Sequence, residues 1–250
     1  MSVTTAGSAK RLDIGKVLGD GLGVLARNFV TFFILALLLV GLPFGLVTYG
    51  QVAERGHPGF AILSVVGGIA LLVTSPMAWS ALIYGSMRDL EGQPASLSEC
   101  LTVGRKRWLP CLGLGILTAL GVVFGFVFLI VPGVLLALRW SVAMPVMVFE
   151  GRGVTESMGR SAVLTRDRRW SIFLLGLIFF AVTLVIEIVL AILGVAISGA
   201  ANVALFSTYL SPVINTFTVI ITYPVLTALF RQLRGDKEGI APDALAEVFA

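Results

Sequence analysis

From Trp108 to Leu138 the chain contains no charged side chain, and three other stretches, Asn28 to Ala53, Gly56 to Met87 and Ile188 to Phe230, are equally free of charge. A helix needs about 20 apolar residues to cross the hydrocarbon of a bilayer. Each stretch is long enough to span, and the longer ones have residues to spare. Hydrophobic residues make up 57% of the sequence and charged residues 13%, against roughly 25% charged in an ordinary soluble domain. That is too little polar surface to cover a soluble fold of this size, so the sequence predicts an all-α, polytopic integral membrane protein.

Six spans fit the pattern: 29–49, 60–84, 109–130, 133–149, 171–194 and 213–230. The "IVPGV" segment at Ile130–Val134 divides the third apolar run, because proline followed by glycine favours a turn between antiparallel helices. The chain therefore reads as an N-terminal segment (1–28) with a short amphipathic helix, a six-helix membrane domain (29–230) and a C-terminal tail (231–250). The first apolar run is too long for a signal-peptide core of roughly 7 to 15 residues. The N-terminal segment is expected to be retained.

Of the 18 lysines and arginines, all but Arg55 and Arg139 fall before span one, between spans two and three, between four and five, or after six. Basic residues concentrate in cytoplasmic loops, so both termini are expected on the cytoplasmic side of the membrane. The formal charge of +4 and the pI of about 9.4 reflect these juxtamembrane clusters, which suit anionic phospholipid. No nucleic-acid-binding motif accompanies them. Cys100 and Cys111 are expected as small packing residues on the reducing side.

A weak internal repeat supports this organisation. "LEGQPASLSEC" from Leu90 aligns without a gap to "FEGRGVTESMG" from Phe149, and each leads into a basic cluster ending in tryptophan, "GRKRW" at Trp108 and "TRDRRW" at Trp170. "DIGKVLGDGLGVLARNF" plays the same part before span one, and the even spans each carry a proline, Pro76, Pro145 and Pro224. The unit is a short helix followed by two spans, used three times. Ser96 with Glu99 fits a capping box; in the second copy Thr155 can cap, and Glu156 and Arg160 are spaced as an i,i+4 pair. Such helices either lie in the interface plane or pack under the bundle as connectors.

The stretch from Val131 to Trp170 resembles the signature of the bacterial membrane domain named for glycerophosphoryl diester phosphodiesterase and of related six-span inner-membrane proteins. The matching residues are Pro132, Gly133, Arg139, Trp140, Pro145, Val146, Glu150, Gly151, Ser161, Leu164, Thr165, Arg169 and Trp170. The resemblance implies a membrane fold rather than an activity. In proteins with the named activity the chemistry belongs to a separate barrel, which needs about 250 residues of its own. This chain uses its length on spans, so the phosphodiesterase label is not transferred and no enzyme activity is expected.

Two ionisable residues interrupt the apolar spans. Counted from the outer ends of their spans, Arg139 lies about 9 Å and Glu187 about 11 Å deep, matching depths on consecutive helices. A lone charge there costs roughly 3 kcal/mol, which makes an intramembrane ion pair between Arg139 and Glu187 the economical expectation. It would set packing register or line a solute pathway; otherwise Arg139 snorkels to the outer surface. His57 is the only histidine and reads as a surface-loop residue, so no metal site or cofactor is expected. Gly121 and Gly125, and Gly15, Gly19 and Gly23, form small-xxx-small patterns whose ordinary use is close intramolecular packing.

The functional expectation is a non-enzymatic membrane protein that organises lipid or assists another membrane protein. Its headgroup contacts would be Arg105, Lys106, Arg107 and Trp108 in one loop and Arg166, Arg168, Arg169 and Trp170 in the other. The alternatives are that these arginines only set topology, and that the chain is a transporter or channel with Arg139 and Glu187 in its pathway.

Overall fold

A computed structural model describes residues 12–53, 58–94, 96–198 and 203–238. His57, Arg55, Lys10 and Arg11 lie outside the described residues. Ten α-helices follow in order: α1 (Ile14–Arg27), α2 (Phe29–Ala36), α3 (Leu42–Ala53), α4 (Ala61–Leu90), α5 (Leu97–Phe128), α6 (Ile130–Arg139), α7 (Ala143–Glu150), α8 (Val154–Leu164), α9 (Arg169–Ser198) and α10 (Val203–Glu238). No strand occurs among the described residues. Six helical stretches are long and apolar enough to cross a membrane: Phe29–Ala53, Ala61–Leu90, Leu97–Phe128, Ile130–Glu150, Arg169–Ala196 and Thr208–Glu238.

Local sequence explains most of the breaks. Asp13 caps α1 by accepting from the Lys16 N–H at 3.0 Å, and α1 ends at Asn28, whose amide turns back to the Val24 carbonyl at 3.1 Å. In span one a π-turn at Leu37–Gly41 joins α2 to α3. Pro43 follows it closely and has no N–H to donate to the Leu39 carbonyl, and a widened turn is one way a helix absorbs such a gap. The turn expected at "IVPGV" falls at Leu129, which is fully extended (φ −168°, ψ 153°); Pro132 then sits in the first turn of α6, where a missing N–H costs little. Across this hairpin a Cβ on Gly125 would lie 2.9 Å from the Gly133 Cα, so the Gly121/Gly125 pattern serves contact between α5 and α6.

Two expectations are corrected, and a choice left open between two alternatives is resolved. Span four is not one helix, because residues 140–142 form a turn between α6 and α7. The short helix starting at Leu97 is not separate either: α5 runs unbroken through Pro110, which leaves only the Lys106 carbonyl without its helical donor. Finally α1 does not lie free in the interface. Val17, Gly21 and Val24 are buried and α1 packs along α10, with Gly21 facing Val225. The contact uses Gly21 rather than the Gly15/Gly19/Gly23 series, because Gly19 faces open space.

The repeat is visible in the backbone. Leu90-Glu91-Gly92 and Phe149-Glu150-Gly151 close spans two and four, and Gly92 (φ 76°) and Gly151 (φ 66°) are the glycines with positive φ among the described residues. Pro76, Pro145 and Pro224 are all buried. The largest buried cluster gathers α1, α4, α7, α9 and α10 through Val17, Met87, Val146, Ile172, Leu229 and Phe230. Cys100 and Cys111 are buried free thiols.

Candidate functional site

Most of the described charged residues converge on one end of the bundle, where α1 and α4 meet and where α8, the turn before α9 and the last turns of α10 meet. Here the polar side chains form a lattice. Arg27 and Asn28 both bind Asp89. Glu150 accepts from Arg152 Nε at 2.5 Å and Arg160 Nε at 3.2 Å. Arg160 also donates to Glu238, which accepts in turn from Arg234 Nε at 2.9 Å. Lys237 donates to Asp167, and Arg168 Nη2 lies 3.3 Å from Asp236. The C-terminal extension of α10 is thus clamped to α8 and to the turn that leads into α9. The Lys237 hydrogen bond and charge, with lesser help from Arg166 and Arg168, hold the Asp167 carboxyl below its ordinary range.

This lattice divides the predicted headgroup residues. Arg168 is engaged by Asp236, which removes it from the free set. Arg105, Lys106 and Arg166 are exposed and make no ion pair among the described residues. Arg107 is half-buried beside Gly151, where a Cβ would lie 3.4 Å from its Nη2. Arg169 is half-buried and its Nε is wholly buried without a partner. Trp108 is half-buried, whereas Trp170 is 82% exposed, its ring meeting that of Phe173 edge-on with centroids 6.0 Å apart.

Arg139 and Glu187 are not brought together. Both side chains are exposed, and no ion pair joins them among the described residues. The reason is the position of α8. Ser161 Oγ and Thr165 Oγ1 donate to the Arg139 carbonyl at 2.9 and 3.3 Å, tying Arg139 to the residues just before α9. Glu187 lies 18 positions beyond Arg169, about 27 Å along α9 at 1.5 Å per residue.

Two other local expectations change. Arg160 pairs with Glu150 and Glu238 rather than with Glu156. Thr155 does not cap α8; the helix starts one residue earlier, at Val154, and Glu156 accepts from the Gly153 N–H at 3.2 Å. The acidic partners Asp89, Glu150, Asp236 and Glu238 were missed by a reading centred on basic residues. Their signal was present in "RDLEG", "FEGRG" and "RGDKE", where acids interleave the arginines.

Six long apolar helical stretches with most of the described charge gathered at one end define a multi-pass α-helical membrane protein. Residues 115–235, just under half of the chain, match the family model described as the membrane domain of glycerophosphoryl diester phosphodiesterase. The match extends from within α5 to near the end of α10 and is to the membrane domain alone. No curated protein and no solved structure matches the chain.

Proposed function

We propose that the protein is a non-enzymatic component of the bacterial cytoplasmic membrane whose basic end gathers anionic phospholipid headgroups. The observation that carries this reading is the sorting of the basic residues. Arg152, Arg160, Arg168, Arg234 and Lys237 are neutralised by carboxylates, while Arg105, Lys106, Arg107, Arg166 and Arg169 have no ion pair among the described residues. Trp108 and Trp170 flank the unpaired set, and tryptophan favours the headgroup level of a bilayer. Each lysine or arginine near an anionic leaflet adds about 1 kcal/mol of attraction. By the positive-inside tendency the basic end and both termini face the cytoplasm.

The test separates lipid contact from topology signalling. Replacing Lys106 and Arg166 together by glutamine leaves most basic residues in place, so insertion and orientation persist. The co-purified ratio of phosphatidylglycerol and cardiolipin to phosphatidylethanolamine falls, while the lattice variant Arg152→Gln leaves it unchanged. An unaltered ratio in the double variant returns these residues to a topological role.

A further inference from the structure

Halfway along the spans, between the π-turn of span one, α4 and α10, lies a cleft of about 360 Å³, within the usual range of about 300 to 1,000 Å³ for small-molecule sites. Val40 and Phe44 line it from span one, Ser75 and Trp79 from α4, and Asn215 and Thr222 from α10. One wall is stiffened by the Trp79 ring stacked on Tyr223, centroids 6.0 Å apart. The π-turn that carries Val40 is held against α10, because Gly41 leaves no room for a Cβ beside Thr216 Oγ1. Single π-turns of this kind are frequent at functional sites.

Apart from Thr218, which lines the cleft and donates to the Ile214 carbonyl, the hydroxyls of the cleft depart from the habit of most spanning ones. A serine or threonine inside a membrane helix satisfies itself by donating to the carbonyl four residues back, as Thr74, Ser80, Ser86, Thr183, Thr216, Thr218 and Thr227 do. Ser75 and Thr222 do not, and neither the Asn215 amide nor the Trp79 indole N–H has a hydrogen bond among the described residues. Thr31, Thr118 and Ser171 are also without one among the described residues, each half-buried and outside the cleft. Polar groups left unpaired in an apolar medium are costly, so their convergence on one cleft signals a partner that supplies donors and acceptors.

We propose that this cleft binds the uncharged, hydroxyl-bearing head of a neutral amphiphile, with Asn215 as its principal recognition residue. The lining carries no lysine, arginine, aspartate or glutamate, so a phosphate or ammonium head finds no counter-charge. Asn215 offers both donor and acceptor to a hydroxyl, with Ser75 and Thr222 beside it, while Val40 and Phe44 suit an acyl chain. A free polyol shares the head chemistry, and the experiment distinguishes the two sources. The inference is independent of the headgroup reading of the basic end.

The full chain, in phosphatidylcholine nanodiscs, is photolabelled with a diazirine-bearing diacylglycerol. Crosslinks map to segments 40–44, 71–79 and 215–222, and unlabelled diacylglycerol competes whereas phosphatidylglycerol does not. Asn215→Leu and Thr222→Val each reduce labelling about five- to tenfold, as expected for one lost hydrogen bond; Thr118→Val has no effect. If Asn215→Leu does not fold, Thr222→Val and Ser75→Ala carry the comparison. Competition by millimolar glycerol keeps the site and assigns it to a free polyol. Labelling indifferent to these substitutions, equal competition by phosphatidylglycerol, or neither lipid labelling nor glycerol binding overturns the proposal.

Discussion

Arg27 at the end of α1 grips Asp89 at the end of α4 with two donors, Nε at 3.0 Å and Nη2 at 2.5 Å from Oδ2, while Asn28 fills Oδ1 at 2.7 Å. The contact joins residues 62 positions apart and fixes how the first short helix leaves span one. The Arg27 side chain is 59% exposed but that of Asp89 only 10%, so the pair lies between a solvated surface bridge and a buried one. Its hydrogen bond to Asp89 raises the Arg27 pKa further. Exposed pairs are worth roughly 0.2 to 1 kcal/mol, and bidentate geometry places this one near the top. A double-mutant cycle with Arg27→Gln and Asp89→Asn in a thermal melt is expected to give a coupling of about 1 kcal/mol; a coupling near zero means the grip does not form.

The glycines of α1 give a sharper test of how that helix sits. A Cβ at Gly21 would fall 2.7 Å from the Val225 Cα, which is backbone and cannot swing aside. Gly21→Ala is expected to cost about 1 to 3 kcal/mol, the usual penalty of overpacking. Gly19 is exposed and has nothing within 4 Å, so Gly19→Ala gains up to about 1 kcal/mol from helix propensity. If α1 floats in the interface, the two substitutions behave alike in a melt.

The membrane spans were legible because the bilayer imposes a condition each helix meets alone: a length of uncharged chain, visible without knowing any neighbour. The repeat was legible for a related reason, since glycine at Gly92 and Gly151 answers a local demand for positive φ. Partnerships among charges were not. The i,i+4 spacing of Glu156 and Arg160 is sound helix chemistry, yet Glu150 and Glu238 reach Arg160 from other elements. The intramembrane cleft was hidden likewise: "VTSPMAW" and "INTFTVIITY" display their polar residues, but their meeting depends on how α4 and α10 rotate about one another.

Gly92 and Gly151 should respond differently to the same change. A left-handed backbone costs an L-residue roughly 1 to 2 kcal/mol, which sets the expected loss for Gly92→Ala, where the site is otherwise open. Asparagine tolerates this conformation better, so Gly92→Asn recovers part of the loss. At Gly151 the new side chain also meets Arg107 Nη2 at 3.4 Å, so Gly151→Asn recovers less. Equal recovery at both sites would place Arg107 away from the turn.

Acidification should loosen the attachment of α10 to the turn before α9. The Asp167 pKa is depressed in the folded protein, chiefly by the Lys237 hydrogen bond. Its contribution is therefore present above the unfolded value of about 3.9 and lost as pH falls through the lower folded value. The difference in Tm between the parent and Asp167→Asn is expected to be constant from neutrality down to the ordinary carboxylate range and to vanish below it. Lys237→Gln should abolish that pH dependence, and a pH-independent difference would mean the two groups do not interact.

The separation of Arg139 from Glu187 predicts independence. With the Arg139 carbonyl tied to Ser161 and Thr165 and Glu187 far along α9, neither charge compensates the other. Removing one leaves no newly orphaned partner, so single substitutions avoid the roughly 3 to 5 kcal/mol loss that follows breaking a buried pair. Because each side chain is exposed on an apolar span, replacing it by leucine removes a charge that is itself costly in hydrocarbon. Arg139→Leu and Glu187→Leu are thus each expected to be neutral or stabilising, and the double variant to equal their sum within about 0.5 kcal/mol. A double variant markedly more stable than the sum of the singles would place the two side chains in contact and restore a shared intramembrane pair.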